Sequence, residues 1–64
     1  MLGSNLKKAR IRRGLSQGDL AREVGVTQSA IYYYEAGTKI PSLAILITIS
    51  RVLDVTLDEL VKDI

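Results

Sequence analysis

Residues 17–35, QGDLAREVGVTQSAIYYYE, constrain the fold more than any other stretch of the chain. Leu20 and Val24 stand one helical turn apart, as do Ile31 and Tyr34, so each half reads as a short helix with one inward line. Ala21 is small where a second helix would cross the first. Gly25 can take the left-handed conformation that a sharp turn between helices needs. With the apolar side chains turned inward, the second helix is left with Gln28, Ser29, Tyr32 and Tyr33. Their spacing of i, i+1, i+4, i+5 gathers them on one outward face. That face is polar, aromatic and uncharged, and suits directional hydrogen bonds to a partner.

The remaining chain must support this pair. Sixty-four residues lie near the lower limit for independent folding, burying only ~60% of the surface exposed on unfolding. With no cysteine and no histidine, neither a disulfide nor an ordinary zinc site can reinforce it. Stability must come from capped helices around an aliphatic core, and 47% hydrophobic residues permit that. The expectation is a single all-α unit spanning residues 1–64. No signal peptide is visible, and the longest apolar run, residues 43–49 with Thr48 inside it, is too short to cross a bilayer. These features fit a reducing cytoplasm. Nothing resembles a nucleophile–base pair, a Walker-type phosphate loop or a metal-ligand cluster, so no enzyme activity, cofactor, metal or small-molecule ligand is expected.

The net charge of +2 is unevenly placed. Residues 1–40 carry seven bases (Lys7, Lys8, Arg10, Arg12, Arg13, Arg22 and Lys39) against three acids; residues 41–64 carry two bases against four acids. A basic amino-terminal portion suggests a face turned toward a polyanion, although solvated helix charges would give the same pattern.

In chain order, a first helix is expected over residues 4–13, with Ser4 as its cap and Gly14 ending it. Arg10 follows Leu6 by one turn and lies near the apolar face, where pairing with a carboxylate competes with direct phosphate contact. Ser16 caps the second helix, with Asp19 three residues on completing a capping box. Gly18 in its first turn costs roughly 1 kcal/mol relative to alanine. The exposed amides at this helix start, with Ser16 and Gln17, can hold a phosphate.

Thr27 caps the third helix, which ends before Gly37. About 9 residues at 1.5 Å each give ~14 Å, which fits a B-DNA major groove ~12 Å wide. Gln28 sits at the helix start, where an amide can pair with adenine N6 and N7. Ser29 can reach a base or a phosphate, and Tyr32 and Tyr33 offer ring edges and hydroxyls. Lys39 and the Ser42 cap of a fourth helix form a second phosphate clamp, and Pro41 prevents the third helix from continuing. The fourth helix, residues 43–53, should bury Leu43, Leu46, Ser50 and Leu53. A second stripe, Ile45, Ile49 and Val52, is divided between core and interface, with Ile49 inward and Ile45 at an interface or exposed. A fifth helix opens with a full capping box at Thr56–Glu59 and folds Leu57, Leu60 and Val61 back onto the core.

This order of segments resembles the lambda repressor/Cro-like family of helix-turn-helix proteins, also called the XRE type. LKKARIRRGLSQGDLAREVGVTQSAI, YEAGTKIPSL and LDVTLDEL carry the resemblance in register over nearly the whole chain. It implies a five-helix DNA-binding domain in which helices 2 and 3 form the helix-turn-helix. It also implies a partly buried ion pair between Arg10 and Glu35, an inward Tyr34, and backbone contacts from Gln17 and the 36–41 loop. Dimerisation through the last helix would place Leu57, Val61 and Ile64 at an interface, against ordinary core packing for Leu57. The sequence departs from the family pattern at Gly18, at Ile45 and at Asp54, which stands where the family has glycine.

The functional expectation is a bacterial or phage-encoded, sequence-specific regulator of transcription, a repressor in the first instance, bound to double-stranded DNA as a two-fold homodimer. Gln28, Ser29, Tyr32 and Tyr33 would read bases; Ser16, Gln17, Thr27, Lys39 and Ser42 would contact phosphates. The alternative is a protein-interaction module, or a redesigned scaffold of the same fold, with Ile45, Ile49 and Val52 as its binding surface.

Overall fold

Five helices account for most of the chain in this computed structural model, which describes residues 1–63: α1 (Leu2–Arg12), α2 (Gln17–Val24), α3 (Gln28–Ala36), α4 (Leu43–Leu53) and α5 (Leu57–Val61). No strand occurs among the described residues. The fold is all-α. Helix α3 packs against α2 and α1, while α4 lies against α2 and α5. Leu6, Leu20, Ile31, Ile49 and Leu60, one from each helix, are fully buried and form the centre of the core. Their branched aliphatic side chains fill the space with no polar atom to satisfy.

The turn between α2 and α3 follows from Gly25, whose φ of 87° is left-handed. Its N–H and that of Val26 both donate to the Ala21 carbonyl, at 2.8 and 3.0 Å, closing α2. Ser16 and Asp19 form a reciprocal capping box at the other end. Thr27 accepts from the Ala30 N–H, and Ser42 from the Ile45 N–H, so α3 and α4 also begin on hydroxyl caps. Asp54 ends α4 in the left-handed region, with φ 56°.

Several expectations need correction. Helix α1 begins at Leu2 with Met1 as its cap; Ser4 lies inside it, its hydroxyl donating to the Met1 carbonyl. Gly3 is the reason the helix extends. It is buried against α3, where a Cβ would fall within 3.0 Å of the Tyr34 and Glu35 backbone. Leu43 is 67% exposed: it occupies the first turn of α4, beyond the edge of the core. Ile45 packs half-buried on the core, and Ile49 is fully buried. The stripe offered as a protein-binding surface is therefore largely internal. At α5 only half the expected box forms: Thr56 accepts from the Glu59 N–H. Leu57 and Val61 rest half-buried against the core, and Ile64 lies outside the described residues.

Ser50 is buried without loss, since its hydroxyl donates to the Ile47 carbonyl at 2.7 Å. Asn5 ties the two chain ends together. Its amide donates to the carbonyls of Leu60 and Lys62 at 3.0 and 2.8 Å, closing the end of α5 against α1. No described helix is long and apolar enough to cross a membrane.

Candidate nucleic-acid interface

Burial of Ile31 and the packing of Tyr34 fix the rotation of α3 about its axis. That rotation turns Gln28, Ser29, Tyr32 and Tyr33 to solvent. Together with Gln17 they line one shallow open groove at the surface. The groove joins the first turns of α2 and α3, because a Cβ on Gly18 would stand 3.5 Å from Gln28 Oε1. That is ordinary contact distance, so space does not demand glycine there.

The far end of α3 is held by a charge network. Arg10 Nε and Nη2 donate to Glu35 Oε2 and Oε1 at 2.6 and 3.0 Å. Arg10 Nη1 donates to the Leu15 carbonyl at 2.8 Å. The two side chains are 10% and 4% exposed, so this is a largely desolvated bidentate pair linking α1 to α3. The hydrogen bond to Glu35 raises the Arg10 pKa, against the lowering effect of burial, and keeps the guanidinium charged. Gln17 joins the same carboxylate, its Nε2 donating to Glu35 Oε1 at 3.1 Å. The start of α2 is thereby tied to α3, a connection that residue spacing gave no sign of. One N–H and the carbonyl oxygen of Gln17 remain available for other partners.

Lys39 and Tyr33 make a second such connection. Lys39 Nζ stands over the Tyr33 ring, 5.0 Å from its centroid. The Tyr32 and Tyr33 rings meet edge-on, with centroids 5.5 Å apart and planes at 70°. Ser16, Thr27 and Ser42 each accept a helix N–H with the side-chain oxygen and keep their own O–H free to donate outward. Lys7, Lys8 and Arg12 lie exposed along α1, and Arg13 lies exposed at its C-cap. No group of three or more His, Cys, Asp or Glu side chains that could hold a metal occurs among the described residues.

A family profile described as helix-turn-helix matches residues 6–60. The chain belongs to the helix-turn-helix family. Within it the chain is of the Cro/C1-like, XRE type, with the five-helix lambda repressor-like fold. The uncharacterized HTH-type transcriptional regulator YqaE of Bacillus subtilis is 44% identical over 62 residues, covering 97% of this chain and 53% of YqaE. This helix-turn-helix chain thus spans about half the length of that relative. SinR of Bacillus subtilis, solved in complex with DNA, is 33% identical with a TM-score of 0.90 over 97% of this chain and 100% of that one. The P22 c2 repressor, solved with a synthetic operator, is 27% identical with a TM-score of 0.92 over 97% and 94% of the two chains.

Proposed function

We propose that residues 1–64 serve as one DNA-binding domain of a cytoplasmic transcription regulator, acting as a repressor. It binds double-stranded DNA as a two-fold dimer, with α3 in the major groove. The observation that carries this reading is the exposed, uncharged face of Gln28, Ser29, Tyr32 and Tyr33 on a helix locked by a buried isoleucine and a buried ion pair. Rigid placement is what base reading requires, because a hydrogen bond discriminates between bases only when its direction is fixed. SinR and the P22 c2 repressor, both solved with DNA, support DNA binding by likeness of fold.

In this reading Gln28 pairs with adenine and Ser29 with a neighbouring base or phosphate. Tyr32 and Tyr33 lie against thymine methyl groups. Ser16, Gln17, Thr27 and Ser42 donate to phosphates, and Lys39 supplies the charge of the far clamp. Leu57 and Val61, half-buried on their own core, meet a second copy with the edges left exposed. One recognition helix covers too few base pairs for useful specificity, so the site should hold two half-sites roughly 10 bp apart. Selection of bound duplexes from a random pool tests this. Enrichment of a pseudo-palindrome with that spacing is expected; a pool that stays random would overturn the reading.

A further inference from the structure

We propose that Lys39 sets base preference through Tyr33, so that Lys39, Tyr33 and Tyr32 act as one braced unit. This rests on the DNA-reading role of α3 proposed above. The Lys39 ammonium lies within the ~6 Å of a ring centroid at which a cation is attracted to the aromatic face. Tyr33 in turn packs edge-on against Tyr32. The loop that carries Lys39 is bound to the same tyrosine. The Tyr33 carbonyl accepts from the Thr38 N–H at 3.1 Å, from the Lys39 N–H at 3.4 Å and from the Thr38 hydroxyl at 3.3 Å. Lys39 is thus anchored at its backbone and at its tip, both to Tyr33.

The consequence is a division of labour between the two rings. Tyr33 has parts of its surface occupied by Lys39 and Tyr32 and is 39% exposed; Tyr32 is 55% exposed and carries the freer ring. Tyr33 thus positions Tyr32 in addition to facing the groove itself, and Tyr32 is the freer ring offered to the bases. An exposed tyrosine without such support would sample several rotamers and lose entropy on binding. The ammonium has three donors, so it can sit over the ring and still meet a phosphate. The two roles separate in their effects. A phosphate contact strengthens binding to every duplex by one factor, whereas a brace for a reading ring changes the ratio between duplexes.

The test measures Kd for the selected duplex and its single-base variants. It compares the wild type with Tyr32→Ala, Tyr33→Leu, Lys39→Met, Lys39→Arg and the double variant Lys39→Met, Tyr33→Leu. Tyr32→Ala marks the positions that Tyr32 reads. At those positions Lys39→Met should compress the preference by about two- to five-fold, the strength of an exposed cation–π contact. Lys39→Arg should retain the preference, because a guanidinium also stacks on a ring. The double variant should lose no more preference than Tyr33→Leu alone. Proton NMR of the free protein reads the brace without DNA: the Lys39 ε-methylene signals should be shifted upfield by the ring, and should lose that shift in Tyr33→Leu. Equal weakening of all duplexes by Lys39→Met, or an unshifted Lys39 in the wild type, overturns the brace. A wild type that shows no base preference while keeping the ring-shifted Lys39 overturns the DNA-reading role, and with it the part assigned to Lys39.

Discussion

Glu35 accepts three hydrogen bonds, two from Arg10 and one from Gln17, on a side chain that is 4% exposed. Replacing it with glutamine leaves the Arg10 guanidinium desolvated and without a counter-charge. The expected loss is ~3–5 kcal/mol of folding stability, a large share of what so small a domain has. Urea unfolding at neutral pH measures it, and a loss under about 1 kcal/mol would mean water already compensates the pair. Asp19 is a milder case. Its hydrogen bond from the Ser16 N–H, with smaller help from Arg22, holds its carboxyl below the usual carboxylate range. The folded chain therefore holds its proton less tightly than the unfolded chain. The stabilisation is complete above the unfolded pKa of ~3.9 and is lost as pH falls through the lower, folded value. Asp19→Asn should accordingly flatten the acid limb of the stability profile below about pH 4. An unchanged limb would show that the box contributes nothing measurable.

At the scale of the helix, hydroxyl caps and aliphatic spacing are enough to specify α2, α3 and α4. Ser16, Thr27 and Ser42 each stand one residue before a helix, where the sequence pattern places them. The start of α1 was not legible, because two local signals pointed the wrong way. Ser4 looks like a cap and Gly3 disfavours helix, but close approach to α3 outweighs both. Gly3→Ala would gain about 1 kcal/mol in helix propensity, yet its methyl group would meet the Tyr34 and Glu35 backbone. A net destabilisation of ~1–3 kcal/mol is expected, the usual range for overpacking. Unchanged or raised stability on thermal unfolding would show that α1 can slide away from α3 at little cost. Leu43 is exposed despite its periodic position for a related reason. Periodicity says which residues share a line along a helix, but not where the core ends.

At the scale of the whole molecule, the longest dimension of 26 Å is less than the ~34 Å that separates half-sites one turn apart on DNA. Two copies can therefore stand side by side on one face of a duplex without overlapping. Inserting about 5 bp between half-sites would place the copies on opposite faces, so binding should fall to that of a single half-site. Retained affinity would rule out contact between copies. The outward face of α3 was legible because every residue left over from core packing had to lie there. The links from Gln17 to Glu35 and from Lys39 to Tyr33 were not, since each crosses between elements and depends on rotamers that no periodicity encodes.

Whether α3 reads bases is decided by the base preference of Gln28→Ala on the selected duplex. A loss of ~1–3 kcal/mol on the best site is expected, with preference relaxed at one or two adjacent positions and unchanged elsewhere. A variant that keeps the wild-type preference at every position would contradict it.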